Sequence, residues 1–154
     1  VGDNTEMIAA GTRLAGCLFC DIAAGDRPAY MVLSDEVAAA FLDTRPVFKG
    51  HVLVVPHAHV ETLPDLPHET VGPFFERVQA VARAVEEGVD AAGTFVAINN
   101  RISQSVPHLH VHVVPRNRKD GLRGFFWPRV KYADDAEIED YTARVRDALK
   151  KSTT

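Results

Sequence analysis

Three histidines stand at alternate positions in one short run, Pro107-His108-Leu109-His110-Val111-His112-Val113-Val114-Pro115. Alternation suits a β-strand, which would set the three imidazoles on one face and Leu109, Val111 and Val113 on the other. Imidazoles held close together disfavour one another's protonation, and neutral imidazole is a nucleophile, a base and a metal ligand near pH 7. An ordinary half-buried strand would carry Thr, Lys, Glu or Ser on its wet face. A metal site made of the three histidines alone is a weaker reading, because successive same-face positions span too much strand to converge easily on one tetrahedral ion.

Other residue types with chemical capacity lie nearby in sequence. Cys17-x-x-Cys20 has metal-binding spacing and is also compatible with a redox pair, although the strand-before, helix-after setting of thioredoxin-like sites is not evident. A structural metal site needs two further ligands. The loop before the triad carries Asn99, Asn100, Ser103, Gln104 and Ser105, uncharged donors suited to phosphate oxygens or to an ordinary connection. Arg101 adds a guanidinium of the kind that pairs with phosphate. Residues 116–131 hold six basic side chains against Asp120, with Phe125, Phe126 and Trp127 among them. They could hold further phosphates and stack on a base, or close a core or a subunit interface.

The elements that must position these groups are legible from periodicity. Tyr30–Leu33 and Val37–Leu42 read as strands joined at Ser34-Asp35-Glu36, and His51–Val55 as a third strand stopped by Pro56. Val71, Phe74, Phe75, Val78, Val81, Ala82, Val85 and Val89 share one face of a long helix that His68 starts, with Pro73 in its first turn or marking its start and an end near Ala92-Gly93. Thr94–Asn99 and Leu109–Val114 complete five strands. Cys17–Gly25 reads as a turn. Ile138, Tyr141, Val145 and Leu149 form a stripe on a last helix, which Asp134 and Glu137 would cap. The order implies an α+β domain with a mainly antiparallel sheet.

At 154 residues the chain suits one domain, expected over 14–151 after a loose tail at 1–13. A net charge of −4 excludes binding to nucleic acid or an anionic membrane by charge alone, and leaves room for a small anion in a local pocket. No apolar run reaches transmembrane length. Two cysteines and no targeting segment point to the cytoplasm.

The pattern His-φ-His-φ-His-φ-φ, with φ apolar, resembles the signature of the histidine-triad (HIT) superfamily. Cys17-Leu18-Phe19-Cys20-Asp21-Ile22, Phe41-Leu42-Asp43, Gly50-His51-Val52-Leu53-Val54-Val55-Pro56 and His59-Val60 resemble family segments in the family's order. The resemblance runs from about Cys17 to Arg116 and is similar to the bacterial zinc-binding Hint/Fhit-like branch. It implies a HIT-like fold, a five-stranded sheet with one long helix and a C-terminal helix. It implies that His110 attacks the α-phosphorus of a nucleotide ester, anhydride or phosphoramidate, giving a nucleotidyl-histidine that water or another acceptor resolves. His112 would hold phosphate oxygens, and His51 would support the triad. Asn99, or Asn100 in this unusually short loop, would contact phosphate and Gln104 the bridging region, while Ser105 would help protonate the leaving group.

At the nucleoside end, Phe19, Ile22 and Phe41 would wall the base, and Asp43 would hold the ribose or simply shape a turn. The resemblance also implies structural zinc on Cys17, Cys20, His59 and His108, with His57 the nearest substitute for His59. The implied partner is a purine nucleotide containing AMP, an adenosine phosphoramidate or a dinucleoside polyphosphate. A homodimer is implied as well, with Trp127 as a contact. The alternatives are a non-catalytic nucleotide-binding or scaffolding protein and a metal-dependent hydrolase.

Overall fold

A computed structural model describes residues 12–122 and 129–152. Arg123, Phe125, Phe126, Trp127 and most of the expected tail lie outside these residues. The chain forms two compact units, Val1–Asp120 and Gly121–Thr154.

The first unit is built on a five-stranded antiparallel sheet. Its strands are β1 (Met31–Ser34), β2 (Ala38–Leu42), β3 (Val52–Pro56), β4 (Gly93–Ala97) and β5 (Val111–Arg116), in the spatial order β1-β2-β3-β5-β4. Helix α1 (Leu18–Ala23) precedes the sheet, and α2 (His68–Gly88) connects β3 to β4. This is the α+β architecture read from the sequence. No helix among the described residues is long and apolar enough to cross a membrane.

Each face of the sheet has its own apolar layer. Phe74, Val78, Val81 and Val85 recur at helical spacing along α2 and cover Ala38, Ala40, Val52, Val54, Leu109, Val111 and Val113. On the opposite face, Phe19, Cys20 and Ile22 of α1 pack with Ala39, Phe41, Leu53 and Val55. Strand β2 is therefore buried on both sides. Its Ala38-Ala39-Ala40 run has poor strand propensity, but lies wholly inside the protein between these layers. Alternation through the triad puts Leu109, Val111 and Val113 under α2, which leaves the histidines to the α1 side.

Several boundaries differ from those expected. Cys17–Gly25 contains a helix, too short for its periodicity to register, with Cys17 as its N-cap. Pro73 sits in the second turn of α2. That helix stops at Gly88 because Asp90 adopts φ +52, and the Ala91 amide bonds back to the Glu86 carbonyl at 2.9 Å. This is a Schellman-type ending with Asp at the position glycine usually takes. Strand β4 stops at Ala97, two residues short of the expected Asn99. Strand β5 starts only at Val111 and runs through Pro115. Beyond Val113 it pairs with β4 alone, where a proline is tolerated.

The second unit contains α3 (Asp135–Ser152). Asp134 accepts from the Glu137 amide at 2.9 Å, as the capping pattern implied, while the Glu137 carboxylate accepts from the Ala133 amide.

Candidate functional site

A cleft of about 520 Å³ opens on the α1 side of the sheet. That volume lies within the range of small-molecule sites. His110 and His112 line it together with Ser105, and Phe19, Ile22, Phe41 and Leu53 supply apolar walls. Asp43 lies on the rim beside Thr44 and Arg45.

The hydrogen bonds assign a role to each nitrogen of the triad. His110 is 4% exposed, and its Nδ1 donates to the His108 carbonyl at 2.7 Å. With that proton fixed, Nε2 of the neutral ring keeps its lone pair. A chain of bonds orders the other pair. The Val47 amide donates to His51 Nδ1 at 3.2 Å, so the proton of a neutral His51 must sit on Nε2. His51 Nε2 lies 3.0 Å from His112 Nδ1 and donates to it. The remaining proton of His112 is then on Nε2, a donor at the cleft wall.

The His51 and His112 assignments require neutral rings, and their surroundings favour them. Burial holds His112 down to about 4, with His110 and His51 adding to the effect. Burial also lowers His51, against the opposing pull of Asp43, whose Oδ2 is 3.7 Å from His51 Nδ1. Phe19 sets its ring edge-on to His110, with centroids 5.1 Å apart, and shields it from water.

His108 is fully buried and faces the cysteines. Its Nε2 donates to the Pro56 carbonyl at 2.9 Å, which leaves Nδ1 as the acceptor. That nitrogen is 3.5 Å from both Cys17 Sγ and Cys20 Sγ, and His59 Nδ1 is 3.4 Å from Cys20 Sγ. All four ligand atoms lie within 4.8 Å of one another. In a tetrahedral thiolate–imidazole site the S···N edge is about 3.6 Å, so the donor set fits one metal ion. His57 is committed elsewhere, to the Asp35 carbonyl at 2.6 Å. Burial raises the Cys20 thiol and lowers His108 to about 4, so a bound cation would displace thiol protons and meet a neutral imidazole.

The loop before the triad does not follow the expected pattern. Asn99 and Gln104 are not among the cleft-lining residues. The Gln104 side chain braces the loop instead, donating to the Glu61 carbonyl at 2.6 Å and accepting from the Arg101 amide at 2.8 Å. Asn100 accepts from the Leu63 amide at 2.9 Å. Arg101 and Ser103 take φ values of +69 and +59, which suits a tight loop with no glycine between Asn99 and Pro107. Asp43 does shape a turn, accepting from the Arg45 amide at 2.8 Å, and still reaches the cleft.

Sequence reasoning missed Arg27, Tyr30, Thr44 and Arg45, which also line the cleft. The Val47 amide and the Pro56 carbonyl were missed too, since main-chain partners leave no mark in residue type.

The HIT domain pattern matches residues 24–119. The protein Hit of Bacillus subtilis is 39% identical over 126 residues, spanning 80% of this chain and 86% of that protein. The chain belongs to the HIT domain family. Yeast adenosine 5′-monophosphoramidase (Saccharomyces cerevisiae) is 31% identical to this HIT protein, over 77% of the chain and 75% of the enzyme. A zinc-bound histidine triad protein from Mycobacterium smegmatis superposes with a TM-score of 0.66 at 37% identity, covering 86% of this chain and 97% of that one.

Proposed function

We propose that this HIT protein hydrolyses or transfers nucleotides at the α-phosphate, through a covalent nucleotidyl-histidine on His110. The observation that carries this reading is the His110 Nδ1 bond to the His108 carbonyl, which leaves Nε2 as the nucleophilic atom of a cleft-lining ring. The Nε2 lone pair forms a bond to phosphorus while the bond to the leaving nitrogen or oxygen breaks, and the leaving group takes up a proton. Ser105, exposed at the cleft, provides the hydroxyl route for that proton. His112 Nε2–H binds a phosphate oxygen as charge develops there. Water then attacks phosphorus and frees His110.

The base lies against Phe19, Ile22 and Phe41, and the Asp43 carboxylate accepts from the ribose hydroxyls. Adenosine phosphoramidates and dinucleoside polyphosphates are the substrate classes this arrangement accommodates. The yeast phosphoramidase supports the first of them. Zinc suits the two-thiolate, two-imidazole donor set and is assigned to Cys17, Cys20, His59 and His108, where it stabilises the fold. A metal-dependent hydrolase built on Asp43, His51 and His112, whose ligand atoms also lie within 4.8 Å, is disfavoured. His51 Nε2 and His112 Nδ1 are already used on each other.

Mass spectrometry of protein quenched in alkaline denaturant during turnover tests the proposal. A nucleotidyl group on the peptide containing His110 is expected. Turnover with no trace of that adduct in single-turnover time courses would refute it.

A further inference from the structure

The formally charged side chains that line the cleft are Arg27, Asp43 and Arg45. Two cations against one anion give it a positive balance in a chain of net charge −4. Neither arginine comes from the triad strand. Arg27 follows α1, whose Phe19 and Ile22 supply apolar walls, and Arg45 follows β2, two residues after Asp43.

Neither guanidinium has an ion pair among the described residues. The acids nearest Arg27 in sequence, Asp21 and Asp26, are both held by Arg13, at 2.8 and 2.6 Å. Asp43 commits one carboxylate oxygen to the Arg45 amide at 2.8 Å, and its other oxygen is 3.7 Å from His51 Nδ1. By contrast, Arg77 and Arg116, away from the cleft, each bond to an aspartate. A guanidinium without a partner in a cleft is available to a ligand anion, and its fork matches phosphate oxygens. The hydroxyls of Tyr30 and Thr44 line the same cleft and can donate as well.

We propose that Arg45 and Arg27 bind a second phosphate, carried on the 2′- or 3′-hydroxyl of the ribose, so that the site takes nucleotides phosphorylated on the sugar as well as at the 5′ position. This rests on the nucleotide reading above, which sets the α-phosphate at His110 and His112 and the ribose at Asp43. Arg45 is the cation next to that ribose contact along the chain, and Asp43 accepts from whichever hydroxyl stays free. A plain adenosine offers neither arginine a counter-charge. A base edge such as guanine O6 and N7 would satisfy one guanidinium and leave the other.

Calorimetry on the full chain at fixed ionic strength tests the assignment. The ligands are AMP, adenosine 3′,5′-bisphosphate, adenosine 2′,5′-bisphosphate and the α,β-methylene analogue of ADP, which adds its phosphate at the 5′ end. One bisphosphate isomer is expected to bind about tenfold tighter than AMP, and tighter than the ADP analogue, as a charge-assisted bond would give. In the double variant Arg27→Gln, Arg45→Gln that advantage over AMP should fall to the level of the ADP analogue, with the two isomers alike. Glutamine keeps the main-chain bonds of both positions. Binding of AMP with no isomer exceeding the ADP analogue overturns the proposal and leaves the nucleotide reading standing. An isomer preference that survives in the double variant overturns it too, because other groups would hold the sugar phosphate. A preference for GMP over AMP that Arg27→Gln abolishes, with no gain from either bisphosphate, would give Arg27 to the base instead. Failure of every nucleotide to bind would remove the nucleotide reading itself, and this proposal with it.

Discussion

The backbone carbonyl of His108 holds His110 Nδ1 at 2.7 Å, while the imidazole of His108 sits 3.5 Å from both cysteine sulfurs. One residue thus joins the cysteine–histidine cluster to the His110 ring, through its side chain on one side and its main chain on the other. The remaining triad residue, His112, is ordered from elsewhere, by His51 and the Val47 amide. Two independent supports therefore converge on the cleft, and they are separable by mutation.

His110→Ala removes the proposed nucleophile and leaves the proposed base and ribose contacts in place. Turnover of an adenosine phosphoramidate should fall by at least about 10³-fold, with nucleotide affinity by calorimetry changed only a few-fold. Retention of activity in this variant would assign the chemistry to another group.

His51 does not line the cleft and bonds His112, so in the proposed mechanism it is a positioning residue. His51→Ala should lower kcat by about 10²-fold with little change in KM, as expected when a reacting group loses its orientation. His51→Gln keeps a donor in reach of His112 Nδ1 and should recover part of that loss. Equal defects in the two variants would argue against a role for the Nε2 proton.

Much of this site was legible because its determinants are side-chain types at fixed spacing. The alternation through His108, His110 and His112, the Cys17-x-x-Cys20 pair and the stripe of α2 all survive in the structure. What escaped was set by the main chain or by tertiary context. Strand β5 begins at Val111 because the Leu109 amide bonds at 2.7 Å to the Val60 carbonyl, a partner no local pattern announces. Gln104 looked like a phosphate donor by type, yet in its tight, glycine-free loop its amide bonds the Glu61 carbonyl and the Arg101 amide. Helix α1 was missed because six residues give too few turns for a periodicity. Arg27 and Arg45 reach the cleft from turns whose path residue type alone does not fix.

Gly50 places His51. It adopts φ +98, and a Cβ there would lie 2.9 Å from Val89 Cγ1, so the turn into β3 has both a conformational and a steric reason for glycine. Gly50→Ala should lower stability by about 1–2 kcal/mol, measured by urea unfolding, through the left-handed penalty alone. It should also lower activity, because His51 follows directly. Unchanged unfolding and unchanged kcat would show that the turn adapts freely.

Removing one sulfur tests the cluster without touching the cleft. Cys20→Ser should bring metal content well below one ion per chain and lower the thermal midpoint by several degrees, since metal binding free energy is folding free energy. Chelation of the wild type should reproduce the shift, and zinc should reverse it in the wild type alone. Identical midpoints with and without chelator would remove the cluster from the account of stability.

The buried imidazoles also fix how stability responds to acid. His112 titrates near 4 in the folded chain, whereas an unfolded histidine titrates near 6.5. Above about pH 6.5 both states are neutral at this position, and its contribution is complete. As pH falls from about 6.5 towards 4, the unfolded chain takes up protons that folded His112 refuses, so stability declines across that window and the contribution is gone once His112 itself protonates. His51, lowered in the same direction, adds to the slope. Urea midpoints measured from pH 7.5 to 4.5 should therefore be level at first and then fall. His112→Asn keeps an acceptor for His51 Nε2 and has no proton to gain, so it should flatten the decline. Comparing the two in a Cys20→Ser background keeps metal release out of the difference, and parallel curves there would mean that His112 is not held neutral by the fold.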